Sequence, residues 1–233
     1  SQRPKTEVTD FDGDGKPEIL FESPAQNVYV APASGGTVFE WDFKPAGINL
    51  LNVLSRRPEP YHEKKSQAAF DWYRRAALID HFFHPDTTED NFARSQYTEL
   101  GDFVSAPYEY ETAKGSNIVL FRLGTIWNGR ENIPLEVRKT LRPDSGSKAG
   151  ECALETTYEI TNLSAGQGLD LWFGSEWNLA FSVFDKEKDH AFQRRESWER
   201  LDPHLHWRMN AYFDRMTDGW VLPLETVSNS IEG

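Results

Sequence analysis

Asn117-Ile118-Val119-Leu120-Phe121-Arg122-Leu123-Gly124-Thr125-Ile126-Trp127, then Asn128-Gly129-Arg130-Glu131-Asn132, then Ile133-Pro134-Leu135-Glu136-Val137-Arg138-Lys139-Thr140-Leu141-Arg142 decide the fold of this chain. Two long runs rich in β-branched and aromatic side chains flank residues that favour a reversal, so the stretch reads as an antiparallel hairpin. Upstream, residues 19–22, 27–31 and 37–43 read as strands of a meander, separated by Ser23-Pro24 and by Ala33-Ser34-Gly35-Gly36. Downstream, 143–150 reads as a polar loop. Residues 151–162 alternate and are expected to pair with 169–178 across 164–168. Runs 198–201, 207–213 and 220–224 supply further strands.

Two stretches break the strand pattern. Residues 47–54 read as helical, ended by Pro58 and Pro60. Residues 63–96 read as a long ordered excursion with short helical turns near 67–73 and 88–94. The chain is therefore expected to be all-β, a large antiparallel β-sandwich with a short helical excursion. No Pro-, Gly- or Ser-rich linker divides it, so residues 1–233 are expected to form a single domain. The last residues look like a strand and turn approaching another strand. A sheet edge left there would be unpaired, so the sandwich is expected to continue past Gly233.

Composition narrows the function. The net charge of −12 argues against nucleic acid or an anionic membrane as partner. No apolar run approaches the roughly 18 residues of a membrane span. The lone Cys152 excludes an internal disulfide framework, and the polar start shows no signal peptide. A cytoplasmic location is the expectation. Eight Trp, eight Tyr and fifteen Phe must fill much of the core, and some can stack on sugar faces.

Asp10-Phe11-Asp12-Gly13-Asp14-Gly15-Lys16-Pro17-Glu18 is an acidic turn. Calcium takes several oxygens at about 2.3–2.6 Å, and alternating aspartates closed by a glycine can deliver them. Asp10, Asp12, Asp14, the Lys16 carbonyl and Glu18 are the candidate ligands. The match to an EF-hand is partial, because Phe21 stands where the bidentate glutamate belongs. A bare turn, its Asp side chains capping their own backbone, is the other reading.

Other clusters are less specific. Asp80-His81-Phe82-Phe83-His84-Pro85-Asp86 offers too few closely spaced ligands for structural zinc, and reads better as a capped loop anchored by its phenylalanines. His204 and His206 share a strand face, either lining a groove beside Trp207 or facing solvent. In Trp172-Phe173-Gly174-Ser175-Glu176-Trp177-Asn178, alternation puts Trp172, Glu176 and Asn178 on one face. An indole, an acid and an amide suit sugar recognition, or else form a hydrogen-bonded buried patch. Arg56-Arg57-Pro58-Glu59-Pro60-Tyr61-His62 gathers cations, an acid, a phenol and an imidazole in one turn. Arg56, Arg57, Glu59, Tyr61 and His62 are expected to hold an adjoining domain through ion pairs. No G-x-S-x-G, phosphate-binding glycine loop or H-E-x-x-H is present, so no catalytic residue is assigned.

The acidic turn, the Gly35-Gly36 turn with Phe39-Glu40-Trp41-Asp42, and Asn49-Leu50-Leu51-Asn52-Val53-Leu54-Ser55-Arg56-Arg57-Pro58-Glu59-Pro60-Tyr61-His62 together resemble the C-terminal domain of glycoside hydrolase family 57 enzymes. These are the α-amylases and 4-α-glucanotransferases. Leu78-Ile79-Asp80-His81-Phe82-Phe83, Phe173-Gly174-Ser175-Glu176-Trp177-Asn178-Leu179-Ala180 and Leu222-Pro223-Leu224-Glu225-Thr226-Val227-Ser228-Asn229-Ser230 agree with it. The resemblance implies a galactose-mutarotase-like sandwich that follows a catalytic barrel carrying the catalytic Glu and Asp, with no catalytic residue in this chain. It implies an accessory role: packing on that barrel and contacting α-glucan or maltooligosaccharide. Two alternatives stand beside it. One is an aldose-1-epimerase-like enzyme using Glu176 with His81, His204 or His206. The other is a structural domain without ligand.

Overall fold

The computed structural model describes residues 3–57, 70–112, 117–144, 153–166 and 168–180, and beyond them the backbone of five strands between 199 and 227. In chain order the strands are β1 (Lys5–Thr9), β2 (Glu18–Glu22), β3 (Gln26–Ala31), β4 (Thr37–Phe43), β5 (Ile48–Asn49) and β6 (Ala77–Phe82), followed by the short helix α1 (Glu89–Ala93). Next come β7 (Glu109–Thr112), β8 (Ile118–Trp127), β9 (Asn132–Asp144), β10 (Ala153–Asn162), β11 (Leu169–Leu171) and β12 (Phe173–Trp177). The five later strands are β13 (Glu199–Leu201), β14 (His206–Ala211), β15 (Asp214–Met216), β16 (Gly219–Val221) and β17 (Leu224–Val227).

Two large sheets result, one in the order β1-β2-β3-β4-β6-β12 with β5 on β4, the other β17-β14-β10-β9-β8-β7. Every resolved pairing is antiparallel. The inward residues of both sheets form one core. Phe21, Val28, Trp41 and Phe82 of the first sheet meet Leu120, Val137, Leu154 and Tyr158 of the second. This is the face-to-face packing of a sandwich, as expected from the alternating runs. The hairpin β8–β9 stands in register from Ile118 opposite Leu141 to Trp127 opposite Asn132.

Several local expectations are corrected. Residues 47–54 are not helical. A 3-10 turn at Lys44–Ala46 ends on Gly47 in the left-handed region, β5 pairs with β4, and the Asn49 side chain accepts from the Leu51 amide at 2.8 Å. These local bonds compete with a helix. Strand β10 does not pair with 169–178 but with β9 and β14. The latter stretch divides, β11 pairing with β13 and β12 crossing to β6 in the other sheet. Strand β6 emerges from what reads as an excursion. Both of its faces are buried, so its sequence lacks the polar alternation that marks a half-exposed strand. The turn near 88–94 is α1, capped by Thr88 and Asn91 in a reciprocal capping box. Residues 70–73 carry no helix. The expectations for Pro58, Pro60, 67–69, 145–150, Cys152 and the final six residues lie outside the described residues.

Candidate functional site

Because β6 pairs with β12, His81 lies opposite Gly174, and Glu176 opposite Ile79. Glycine at 174 leaves room there, since a Cβ would stand 2.6 Å from the Phe83 ring. Phe83 instead stacks on the His81 imidazole, with centroids 5.1 Å apart and planes 10° apart. Tyr73, Phe92 and Tyr97 approach the same imidazole at 5.5, 5.5 and 5.8 Å. The residues before β6 and around α1 thus cover the outer face of the sheet.

Inside this aromatic box His81 is fully buried and contacts two carboxylates. Its Nδ1 lies 2.8 Å from Glu99 Oε2 and its Nε2 3.0 Å from Glu176 Oε2. Burial pushes the imidazole down, but hydrogen bonds to Glu176 and Glu99 outweigh it and hold His81 up at about 9. Burial pushes Glu176 up, yet the His81 bond and charge, with bonds from Tyr73 and Asn178, bring it below the usual carboxylate range. At neutral pH His81 is thereby held as an imidazolium between the Glu99 and Glu176 side chains. The epimerase alternative does bring Glu176 and His81 together, but both ring nitrogens are engaged inside the protein. Neither is free to exchange a proton with a sugar.

Trp172, Glu176 and Asn178 fall on this same outer side, as alternation requires. The Trp172 ring meets Phe83 edge to face at 5.6 Å. Glu176 Oε2 accepts from the Tyr73 hydroxyl at 2.6 Å, and its Oε1 accepts from Asn178 Nδ2 at 2.9 Å. Asn178 Nδ2 also donates to the Ala76 carbonyl at 3.0 Å. The acid and the amide are thus bound to each other and to the protein, with the Glu176 side chain 15% exposed.

The remaining expectations divide. Asp80 and His81 point to opposite sides of β6, and His84 pairs with Asp86 at 3.5 Å, so this cluster does not converge on a metal. His206 begins β14, while His204 lies outside the described residues. Arg56 is held within the chain, bonding Asp71 through its backbone N–H and guanidinium, and the Ala93 carbonyl at 2.8 Å. Arg57 is exposed beside an open pocket of about 300 Å³ that it lines with Phe39, Leu51, Leu54, Arg74 and Arg75. Glu59, Tyr61 and His62 lie outside the described residues. In the acidic turn, oxygens of Asp10, Asp12 and Glu18 lie within 4.8 Å of one another. They also accept backbone N–H bonds from Gly15, Asp14 and Phe11. Asp14 stands apart from that trio and accepts from the Lys16 amide at 2.8 Å.

Sequence reasoning missed the polar centre between the sheets. Lys139 and Asp80 are both wholly buried and 2.8 Å apart. Asp80 also accepts from Tyr108 and Tyr158 at 2.7 and 2.8 Å, and Lys139 donates to the Gly35 and Leu78 carbonyls at 2.9 Å. Burial outweighs the Asp80 charge and lowers Lys139. The signal was there in β9, where Lys139 follows Leu135 and Val137 and precedes Leu141 at the inward positions of one strand.

Comparison with known proteins supplies the context. The family profile described as "Alpha-amylase/4-alpha-glucanotransferase, C-terminal" matches residues 10–69 and 65–233. A 4-alpha-glucanotransferase of Thermococcus litoralis is 32% identical, over 99% of this chain and 37% of its own length. Alpha-amylase 1 of Dictyoglomus thermophilum is also 32% identical, over 97% of this chain and 37% of its own. The crystal structure of the T. litoralis glucanotransferase superposes with a TM-score of 0.70 at 29% identity, covering 97% of this chain and 36% of that one. The chain thus spans somewhat more than a third of the length of these relatives.

Proposed function

We propose a role for this chain from the premise that it belongs to the alpha-amylase/4-alpha-glucanotransferase C-terminal family. It serves as a non-catalytic accessory domain of an α-glucan-processing enzyme. It packs on a catalytic barrel elsewhere in the parent protein and contacts the glucan. The observation that carries this reading is the coverage. Nearly all of the chain aligns with just over a third of proteins named as glucan-processing enzymes. Geometry agrees, since among the described residues the buried His81 is closed on Glu99 and Glu176 inside the protein.

The packing surface is assigned to the region of Arg57, where Leu54 is 87% exposed. Arg56, locked to Asp71, fixes the entry of that loop, and Glu59, Tyr61 and His62 follow it in sequence. A cation beside exposed apolar surface suits a carboxylate-bearing neighbour. The glucan contact is assigned to Trp172, with Glu176 and Asn178 on the same side of the sheet. Titration with maltotriose, followed by amide chemical shifts, tests it. Perturbations centred on β12 are expected, with affinity on the order of millimolar, and no release of reducing sugar from starch. Starch hydrolysis by the chain alone would overturn the non-catalytic reading.

A further inference from the structure

A second outer surface of the first sheet has a composition that core packing does not require. The pairing of β3 with β4 slips between Tyr29 and Val30, so that Val30 faces Val38 and Tyr29 faces Glu40. Phe39 is the extra residue. Such a bulge re-aims a side chain, and here Val38 and Trp41 stay in the core while Phe39 and Glu40 are only partly buried. Phe39 joins Tyr29 and Phe11, with ring centroids 6.1 Å and 6.2 Å from Phe39 and 5.2 Å between Phe11 and Tyr29. Phe11, brought over the sheet by the acidic turn, remains 52% exposed.

Polar groups surround these rings. Asp42, opposite Asn27 in register, accepts from Asn27 Nδ2 at 2.9 Å. Asn27 Oδ1 is buried and has no hydrogen-bond partner. Turning the amide over would set its oxygen against the Asp42 carboxylate, so the orphan acceptor is a consequence of that pairing. Glu40 lies in the same row, and burial together with the Asp42 charge raises its carboxyl. Arg74 places its guanidinium 5.5 Å from the Phe39 ring centroid. Beyond Phe39 and Arg74 opens the pocket described above.

We infer that Phe11 and Phe39 form a stacking platform for an α-glucan chain, with Glu40 and Asp42 accepting from its hydroxyls and Arg74 donating to them. Rings offer apolar area to the C–H face of a pyranose, and mixed acceptors and donors suit a neutral polyol. An anionic ligand would meet the carboxylates of Glu40 and Asp42. This site is separate from Trp172, and it rests on the reading of the chain as part of a glucan-processing protein.

Isothermal titration of the chain with maltoheptaose tests the inference on wild type and on Phe11→Ala, Phe39→Ala, Asp42→Asn and Trp172→Ala. Phe11→Ala and Phe39→Ala are each expected to weaken binding by about tenfold, consistent with loss of an aromatic contact. Trp172→Ala removes the contribution of the other proposed contact, and the heat that remains is expected to keep its dependence on Phe11 and Phe39. Phe11 is exposed enough that its truncation should keep the thermal midpoint, which separates lost binding from lost folding. Unchanged affinity in both phenylalanine variants overturns the platform. If Trp172→Ala then abolishes binding, the glucan reading survives and this site does not. Absence of any heat with wild type at millimolar sugar overturns both.

Discussion

The ammonium of Lys139, on the second sheet, lies 2.8 Å from the carboxylate of Asp80, on the first, and neither side chain is exposed. An ion pair sealed between two sheets has lost the hydration of both charges. Pairing offsets part of that loss, though burial still lowers the Lys139 ammonium. Two tyrosine hydroxyls complete the carboxylate and two backbone carbonyls complete the ammonium. One of those carbonyls belongs to Leu78, whose φ of 63° is rare for a branched residue. The pair thus also fixes the start of β6, and with it the position of His81.

Removing one partner should be far costlier than removing both. Lys139→Met leaves the buried Asp80 carboxyl without its cation, and should cost about 3–5 kcal/mol. The double variant with Asp80→Leu should recover part of that loss, short of wild type because Tyr108 and Tyr158 lose their acceptor. Urea unfolding of the four proteins measures the coupling. A Lys139→Met protein within about 1 kcal/mol of wild type would show that the pair is not what holds the sheets.

The turn beside that pair permits a paired comparison. Gly35 has φ of 71°, and a Cβ there would lie 2.3 Å from the Val104 carbonyl oxygen. Gly13 has φ of 76° with nothing within 4 Å. Gly13→Ala should cost only the left-handed penalty, about 1–2 kcal/mol. Gly35→Ala should exceed it by about 2 kcal/mol or more, because backbone must move. Equal midpoints in thermal unfolding would contradict this.

The same elements show how far the sequence can be read. The meander and the β8–β9 hairpin are half-exposed or end in recognisable turns, so their period and glycines announce them. Strand β6 does not, because it is covered on both faces, and the residues that cover its outer face, Tyr73, Phe92 and Tyr97, come from segments with no regular period. Alternation correctly placed Trp172 and Glu176 together. It could not show that His81 and Tyr73, some hundred positions away in sequence, would take up the Glu176 carboxylate. Lys139 was legible as a lysine at an inward position, whereas its partner Asp80 required the crossing of the sheets. The bulge that exposes Phe39 depends on cross-strand register, which one strand's sequence does not specify.

For the acidic turn we propose calcium binding through Asp10, Asp12 and Glu18, whose oxygens lie within 4.8 Å of one another, with Asp14 and the Lys16 carbonyl joining on local rearrangement. Calcium that binds the native loop alone must raise the thermal midpoint by linkage. A higher midpoint in millimolar calcium than in chelator is expected, and Asp12→Ala should remove the difference. Identical midpoints would leave the carboxylates as caps of their own turn.

The buried imidazolium makes stability depend on pH in a defined direction. His81 is held at about 9 in the folded chain against 6.5 for an ordinary histidine. Below the unfolded value both states carry the proton, and the contribution of the cluster is complete. Between roughly 6.5 and 9 the folded chain binds more protons than the unfolded one, so stability falls as pH rises, and the contribution is gone above the folded value. The whole effect is at most about 3 kcal/mol by the conversion of a pKa difference to free energy. The groups facing His81 are Glu99, Glu176, Tyr73 and Tyr97, and burial, with nearby negative charge, raises both tyrosines out of that window. Urea midpoints at pH 6, 7.5 and 9 should therefore decline in wild type, with a shallower decline in His81→Gln, which cannot titrate and whose amide can donate toward only one of the two carboxylates. Parallel curves for the two proteins would mean that His81 is neutral in the fold.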